Sequence, residues 1–163
     1  MPDLQDPASF AETSLPRQDY MARILGYGVG CITALVGYFS GYFDSNIFIV
    51  ALISAIYPHM AHVLSRPFRR KRPHSTRQFL IHVDAVLCGM FLGYINLPIE
   101  LSVLLLVMIN TSFIIVGSIT AWSFCVISLI AGTASGLILF GYQAPQPVPS
   151  QLFIATAIGV GLH

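Results

Sequence analysis

Long apolar runs separated by short polar breaks fill most of the sequence, and their lengths set the expected architecture. A bilayer core about 30 Å thick takes roughly 20 apolar residues in a helix. Runs near that length fall at about Ile24 to Ser40, Asn46 to Ser65, Phe79 to Asn96, Leu101 to Val116 and Ala121 to Tyr142. A sixth starts at Gln151 and stops at His163 after 13 residues, and a helix of that size reaches only about 20 Å. The pattern predicts an all-α polytopic bundle of five complete transmembrane spans and a truncated sixth, in a chain that is a fragment of something longer. Residues 1–19 are polar, hold Pro2, Pro7 and Pro16 with Asp3, Asp6, Glu12 and Asp19, and read as a disordered tail ahead of a membrane domain at 20–163. No small-x-small cleavage site follows the apolar run after Arg17 and Arg23, so this end does not read as a secretory signal.

Inside the runs, small residues recur about four apart: Gly26, Gly30, Ala34, Gly37 and Gly41 in the first, Ala85, Gly89 and Gly93 in the third, Ser128, Gly132 and Gly136 in the fifth. Such stripes let membrane helices approach closely where water cannot drive them together, and each predicts a packing face within the bundle or a dimer face. Pro58 removes the hydrogen bond to the Ser54 carbonyl and predicts a kink in the second span. The fourth span is interrupted by Asn110, Thr111 and Ser112, which belong against other helices rather than lipid. Trp122 and Tyr142 sit near the two ends of the fifth span, where amphipathic rings favour the interface. Pro145, Pro147 and Pro149 make residues 143–150 a stiff, uncharged connector.

Composition agrees. With 55% hydrophobic and 9% charged residues and a mean hydropathy of +0.75, the 163-residue chain has too little polar surface to cover a soluble globule and no room for a soluble catalytic domain. Six of its eight Lys and Arg residues, Arg66, Arg69, Arg70, Lys71, Arg72 and Arg77, lie in one short stretch, read as a loop between the second and third spans. Alternation of the spans puts Arg17 and Arg23 on the same side, while the opposite loops carry Asp44 and Glu100. The positive-inside rule then makes the N-terminus and the basic stretch cytoplasmic. The basic side chains set topology and can meet anionic headgroups, each at about 1 kcal/mol near the surface; a nucleic-acid partner is not expected of a short connector pressed against the membrane. Cys31, Cys88 and Cys125 lack metal-ligand spacing and read as small buried hydrophobes. Neither metal nor cofactor is expected.

The candidate chemistry gathers at the ends of the second and third spans. His59, His62 and Arg66 follow Pro58 at i, i+3 and i+7, on one helix face. His82 and Asp84 open the third span at similar depth, and a half-buried acid needs a partner, for which Arg66 or a protonated histidine is at hand. The cluster either pins the second span to the third or forms a polar pocket that senses a ligand, proton or metal and shifts the helices, since histidine titrates near neutrality and binds metals.

The run Tyr57-Pro58-His59-Met60-Ala61-His62-Val63-Leu64-Ser65-Arg66, with Asp84 early in the next span and Asn110 in the fourth, resembles the second class of bacterial membrane-associated sensor domains (MASE2-type) over about residues 20 to 140. Tyr57 stands where that pattern has Trp, and Thr111 where it has a second Asn. The resemblance implies an N-terminal sensor and anchor module, not itself an enzyme, in the bacterial inner membrane. It further implies a cytoplasmic nucleotide cyclase in cis, either a diguanylate cyclase with a GGDEF domain or a class III adenylate cyclase, and a homodimer, because such cyclases work with two catalytic domains brought together. A small transporter or channel is the alternative, for which paired broken helices and mid-membrane polar groups would be expected. A haem protein, with His59 or His62 and His82 as axial ligands, is a third reading.

Overall fold

The structure, a computed structural model, describes residues 7–116, 119–142 and 146–162. Six helices and no strands form among them: α1 (Pro7–Phe39), α2 (Ile47–Lys71), α3 (Pro73–Tyr94), α4 (Ile99–Val116), α5 (Ile119–Phe140) and α6 (Ser150–Leu162). Among the described residues, three segments are long and apolar enough to cross a membrane, Asp19–Phe39, Ile47–Arg69 and Trp122–Phe140, with shorter apolar helices at Ile99–Met108 and Ser150–Gly161. The 22-residue α3 falls outside that set, its hydropathy lowered by Arg77, Gln78, His82 and Asp84.

Two boundaries differ from the sequence pattern. The first helix begins at Pro7, inside the stretch read as a polar tail, while residues 1–6 lie outside the described residues. Proline suits a first helical position, where its missing N–H has no intrahelical acceptor to lose. The basic stretch is not a loop either. Helix α2 continues through Arg66 and Arg69 to Lys71, and α3 starts at Pro73, leaving Arg72 (φ −144°, ψ 75°) as the whole junction. Arg and Lys are good helix formers and complement the negative C-terminal end of α2, while Pro73 forces the residue before it out of the helical region.

Other helix ends follow their local chemistry. Gly41, at φ 71°, closes α1: its N–H and that of Tyr42 bond back to the carbonyls of Tyr38 and Gly37, both at 2.9 Å. Asn96 plays the same part after α3 at φ 57°, with Asn96 N–H on Gly93 and Leu97 N–H on Leu92. The Tyr42 hydroxyl, whose pKa is raised by burial and by neighbouring Glu100, donates to the Gln146 carbonyl at 3.2 Å and ties the α1–α2 turn to the proline-rich connector. Residues 117–118 and 143–145, within the predicted turn and connector, lie outside the described residues.

The most extensive helix contact is α3 on α5, followed by α1 on α2 and then α1 on α6. The α3–α5 seam joins two of the predicted small-residue stripes to each other. A Cβ added to Gly89 would sit 2.8 Å from the Thr133 amide nitrogen and well inside contact with the Leu129 carbonyl, and one on Gly93 would sit 2.8 Å from the Leu137 nitrogen. From the other side, Gly132 faces the backbone of Val86, and Gly136 that of Met90 and Gly93. The helices touch backbone to backbone because no side chain intervenes. On α1, Gly30 faces the Ser54 hydroxyl of α2, whereas nothing lies within 4 Å of a Cβ on Gly28.

A core of Ala85, Leu92, Leu101, Leu105, Leu129 and Leu152 fills the space among α3, α4, α5 and α6. Thr33 and Thr156, both fully buried, join α1 to α6 through their hydroxyls at 3.2 Å, and Thr156 also donates to the Leu152 carbonyl. The outward faces are apolar: Ile49, Leu52 and Ile56 on α2 and Ile127, Ile130 and Ile138 on α5 are all exposed. Oil-loving side chains on the outside and paired polar groups on the inside are what a lipid solvent selects.

Candidate functional site

Three helices converge on Asp84. Its Oδ2 accepts from Arg23 Nε of α1 at 2.7 Å, and its Oδ1 accepts from the Tyr27 hydroxyl, also of α1, at 3.2 Å. Arg23 and Tyr27 are four apart and therefore share a face of α1. The pair is well covered, with 11% of the Arg23 side chain and 18% of the Asp84 side chain exposed. Tyr57 of α2 stacks against Tyr27 with ring centroids 4.8 Å apart, and its hydroxyl interacts with the Asp84 carboxylate. The acid of the predicted cluster thus has a cationic partner, but it is Arg23 rather than Arg66. One step outward, Arg77 of α3 bonds Asp19 of α1 at 3.0 Å, so two ion pairs clasp α1 to α3.

The histidines separate from the acid. His59 Nδ1 lies 2.8 Å from the Tyr20 hydroxyl, and the Tyr20 ring lies over His62 with centroids 4.3 Å apart. His62 is flanked by its own helix's cations: Arg66 Nη2 is 3.4 Å from Nε2, and Arg69 Nη2 is 3.3 Å from Nδ1 and donates to the His62 carbonyl. Arg69 also holds the Ser65 hydroxyl. His82 faces α5, with Nδ1 3.3 Å from Ser128 Oγ and 3.9 Å from Cys125 Sγ, and its ring edge-on to Phe124. The His59, His62, Arg66, His82 and Asp84 cluster is therefore three separate contacts: α1–α2, α3–α5 and α1–α3. Among the described residues no group of three or more His, Cys, Asp and Glu is arranged to hold a metal ion.

Asn110 joins α4 to α5. Its Nδ2 donates to the Leu106 carbonyl at 2.8 Å, and its Oδ1 accepts from Trp122 Nε1 of α5 at 2.9 Å. The side chains of Thr111 and Arg70 lie outside the described residues. Lys71 and Arg72 are exposed.

Beside the Arg23–Asp84 pair lies a cavity of about 250 Å³ between α1, α2 and α3, with Leu105 and Met108 of α4 and Phe140 of α5 also in its lining. Arg23, Asp19 and Asp84 form its polar end, and Gly26 and Gly30 line it on α1. Ile53, Leu87 and Phe91 are among its apolar walls. Sequence reasoning missed Arg23, Tyr27 and Tyr20, although a signal was present: Tyr20, Arg23 and Tyr27 recur at helical spacing along one face of the first span.

No curated protein and no solved structure matches the chain. The family model of the MASE2 domain matches residues 18–107, more than half of the sequence and the whole of the segment that carries Tyr20, Arg23, Tyr27, the histidines and Asp84. The matched domain is a membrane sensing domain rather than a catalytic one, and the membrane-associated sensor domains that the Pro58-His59 to Ser65-Arg66 run resembles are the family to which the chain belongs: this is a MASE2 domain.

Proposed function

We propose that this chain is the sensor and anchor module of a bacterial second-messenger enzyme. It spans the cytoplasmic membrane several times, with its N-terminus and basic stretch in the cytoplasm, and regulates an adenylate or diguanylate cyclase domain carried in cis by changing helix packing or dimer geometry. Five complete spans and a sixth element at α6 are the reading that the apolar runs support. The observation that carries the proposal is the family membership over residues 18–107. The buried clasp of Arg23, Tyr27 and Asp84 supports it, because an ionisable pair inside an apolar bundle costs free energy that a passive anchor does not need.

A transporter or channel would string polar groups along a route through the bilayer. Here Arg23 pairs with Asp84 and Arg77 with Asp19, so these charges are closed on one another rather than strung along an open route, which favours the sensor. Two experiments test the proposal. Reading the open frame beyond residue 163 should reveal a GGDEF or class III cyclase domain; another kind of domain, or a stop codon, overturns it. In a fusion of this chain to either cyclase domain, deleting the membrane part should alter cyclase output, oligomeric state and membrane location, and no change in any of the three refutes the regulatory role.

A further inference from the structure

The α1–α3 clasp closes only one end of the gap between two tightly packed helix pairs. Helix α3 is locked to α5 by glycine-mediated backbone contact, and α1 is packed on α2, but the space between the pairs holds the 250 Å³ cavity. The cavity extends along the helices. Its lining runs from Asp19 to Gly30 on α1 and from Ile81 to Tyr94 on α3, about 15–20 Å at 1.5 Å per residue. Its walls are apolar, and Ile53 and Phe140, which border it, are about half exposed on the outer faces of α2 and α5.

The polar end decides the head of an occupant. Asp84 is satisfied by Arg23 and Tyr27, and Asp19 by Arg77, so each acid in the lining already has its cation. An added carboxylate or ammonium would bring an unbalanced charge into a poorly solvated site. The Arg23 guanidinium uses its Nε–H on Asp84 and makes no further hydrogen bond among the described residues, which leaves N–H donors at the end of the cavity. An uncharged acceptor suits them.

We infer that the cavity between α1, α2 and α3 is a binding site for a neutral amphiphile, an unbranched apolar chain ending in a carbonyl or hydroxyl that accepts from Arg23. As the input site of a sensor it rests on the function proposed above; as a binding site it does not. The same chemistry is available from a small diffusible ketone, alcohol or ester and from the acyl chain of a membrane lipid. Occupancy would wedge the α1–α2 pair from the α3–α5 pair beside the Arg23–Asp84 bond.

Gly30 provides the test, because a side chain there meets only the Ser54 hydroxyl at 3.8 Å and projects into the cavity without striking backbone, whereas Gly28 faces open space. The purified chain is photolabelled with methyl nonyl ketone carrying a diazirine near its tail, and the labelled peptides are mapped. The expected result is saturable labelling of cavity residues on α1 and α3, competed by unlabelled ketone and by decanol but more weakly by decanoate and decyltrimethylammonium. Gly30→Leu should lower labelling about tenfold, and Gly28→Leu should leave it unchanged. Displacement of the probe by diacyl phospholipid in nanodiscs would identify the bilayer as the source, and its retention there a diffusible ligand; both support the site. Equal labelling of the two leucine variants, or preference for a charged head, overturns it. Because the assay reads binding on the membrane chain alone, a negative result removes the ligand site and leaves cyclase regulation to be judged by the fusion experiment.

Discussion

Replacing Gly89 with alanine tests whether the α3–α5 seam is held by backbone contact. The added methyl would lie 2.8 Å from the Thr133 nitrogen, where ordinary contact begins at 3.4 Å, and deeper still into the Leu129 carbonyl. Both obstacles are backbone atoms of a helix and cannot rotate aside. Relief requires α3 and α5 to separate, which also loosens the contacts of Gly93, Gly132 and Gly136. Overpacking of this kind costs about 1–3 kcal/mol, and the rigidity of the obstacles places it near the upper figure. Alanine returns up to about 1 kcal/mol as a better helix former than glycine, for a net loss of about 2 kcal/mol. Gly28→Ala, with nothing within 4 Å, keeps only the gain of about 1 kcal/mol. The two variants should therefore differ by about 3 kcal/mol when unfolded by SDS in mixed micelles and followed by circular dichroism. A Gly89→Ala/Gly132→Ala double variant should lose less than the sum, because one separation relieves both clashes. Equal shifts for Gly89→Ala and Gly28→Ala would refute direct backbone packing at this seam.

The Arg23–Asp84 bond predicts a loss of about 3–5 kcal/mol for Asp84→Asn or Arg23→Gln alone, since each leaves a covered charge unpaired; the double variant should recover part of it in the same unfolding assay, and additive losses would show that the two do not interact. Arg77→Gln should cost less, about 0–1 kcal/mol, because its pair with Asp19 is more open to solvent, with 28% and 20% of the side chains exposed. Trp122 is the single tryptophan, so Asn110→Ala should move its emission to shorter wavelength as the Nε1 hydrogen bond is lost, and cost about 0.6 kcal/mol; an unchanged spectrum would remove that bond.

The helix positions and two of the packing stripes were legible because each depends on the chain's own periodicity: an apolar run announces its helix, and Ala85, Gly89 and Gly93 announce a close approach before its partner is known. The site was legible only in part. Counting depth along the sequence put His82 and Asp84 in the first turns of a span, whereas α3 begins at Pro73 and holds both well inside it. Direction about the helix axis was the missing coordinate. Two residues apart, His82 and Asp84 point about 200° from each other, so they cannot both turn to His59 and His62; one meets α5 and the other α1. The partner of Asp84 was hidden because it lies 61 positions away, and only the tertiary packing of α1 across α3 brings it near. The basic stretch was misread because a dense run of charge between two apolar runs was taken for a loop, whereas charge does not end a helix: Pro67 is accommodated within α2 and Pro73 begins α3.

The Thr33–Thr156 bond between α1 and α6 restricts how these two helices can move against each other. A piston stroke of one helical turn would carry the two hydroxyls from 3.2 Å to beyond hydrogen-bond reach in a place with no water to replace them, and would force Val29 out of the notch at Gly159, where a Cβ would already stand 2.7 Å from its methyl. Pivoting about that point breaks neither contact. The junction is a fulcrum: it resists sliding and passes on tilt, a distinction that distances between spin labels at the two ends of α6 and α1 would measure.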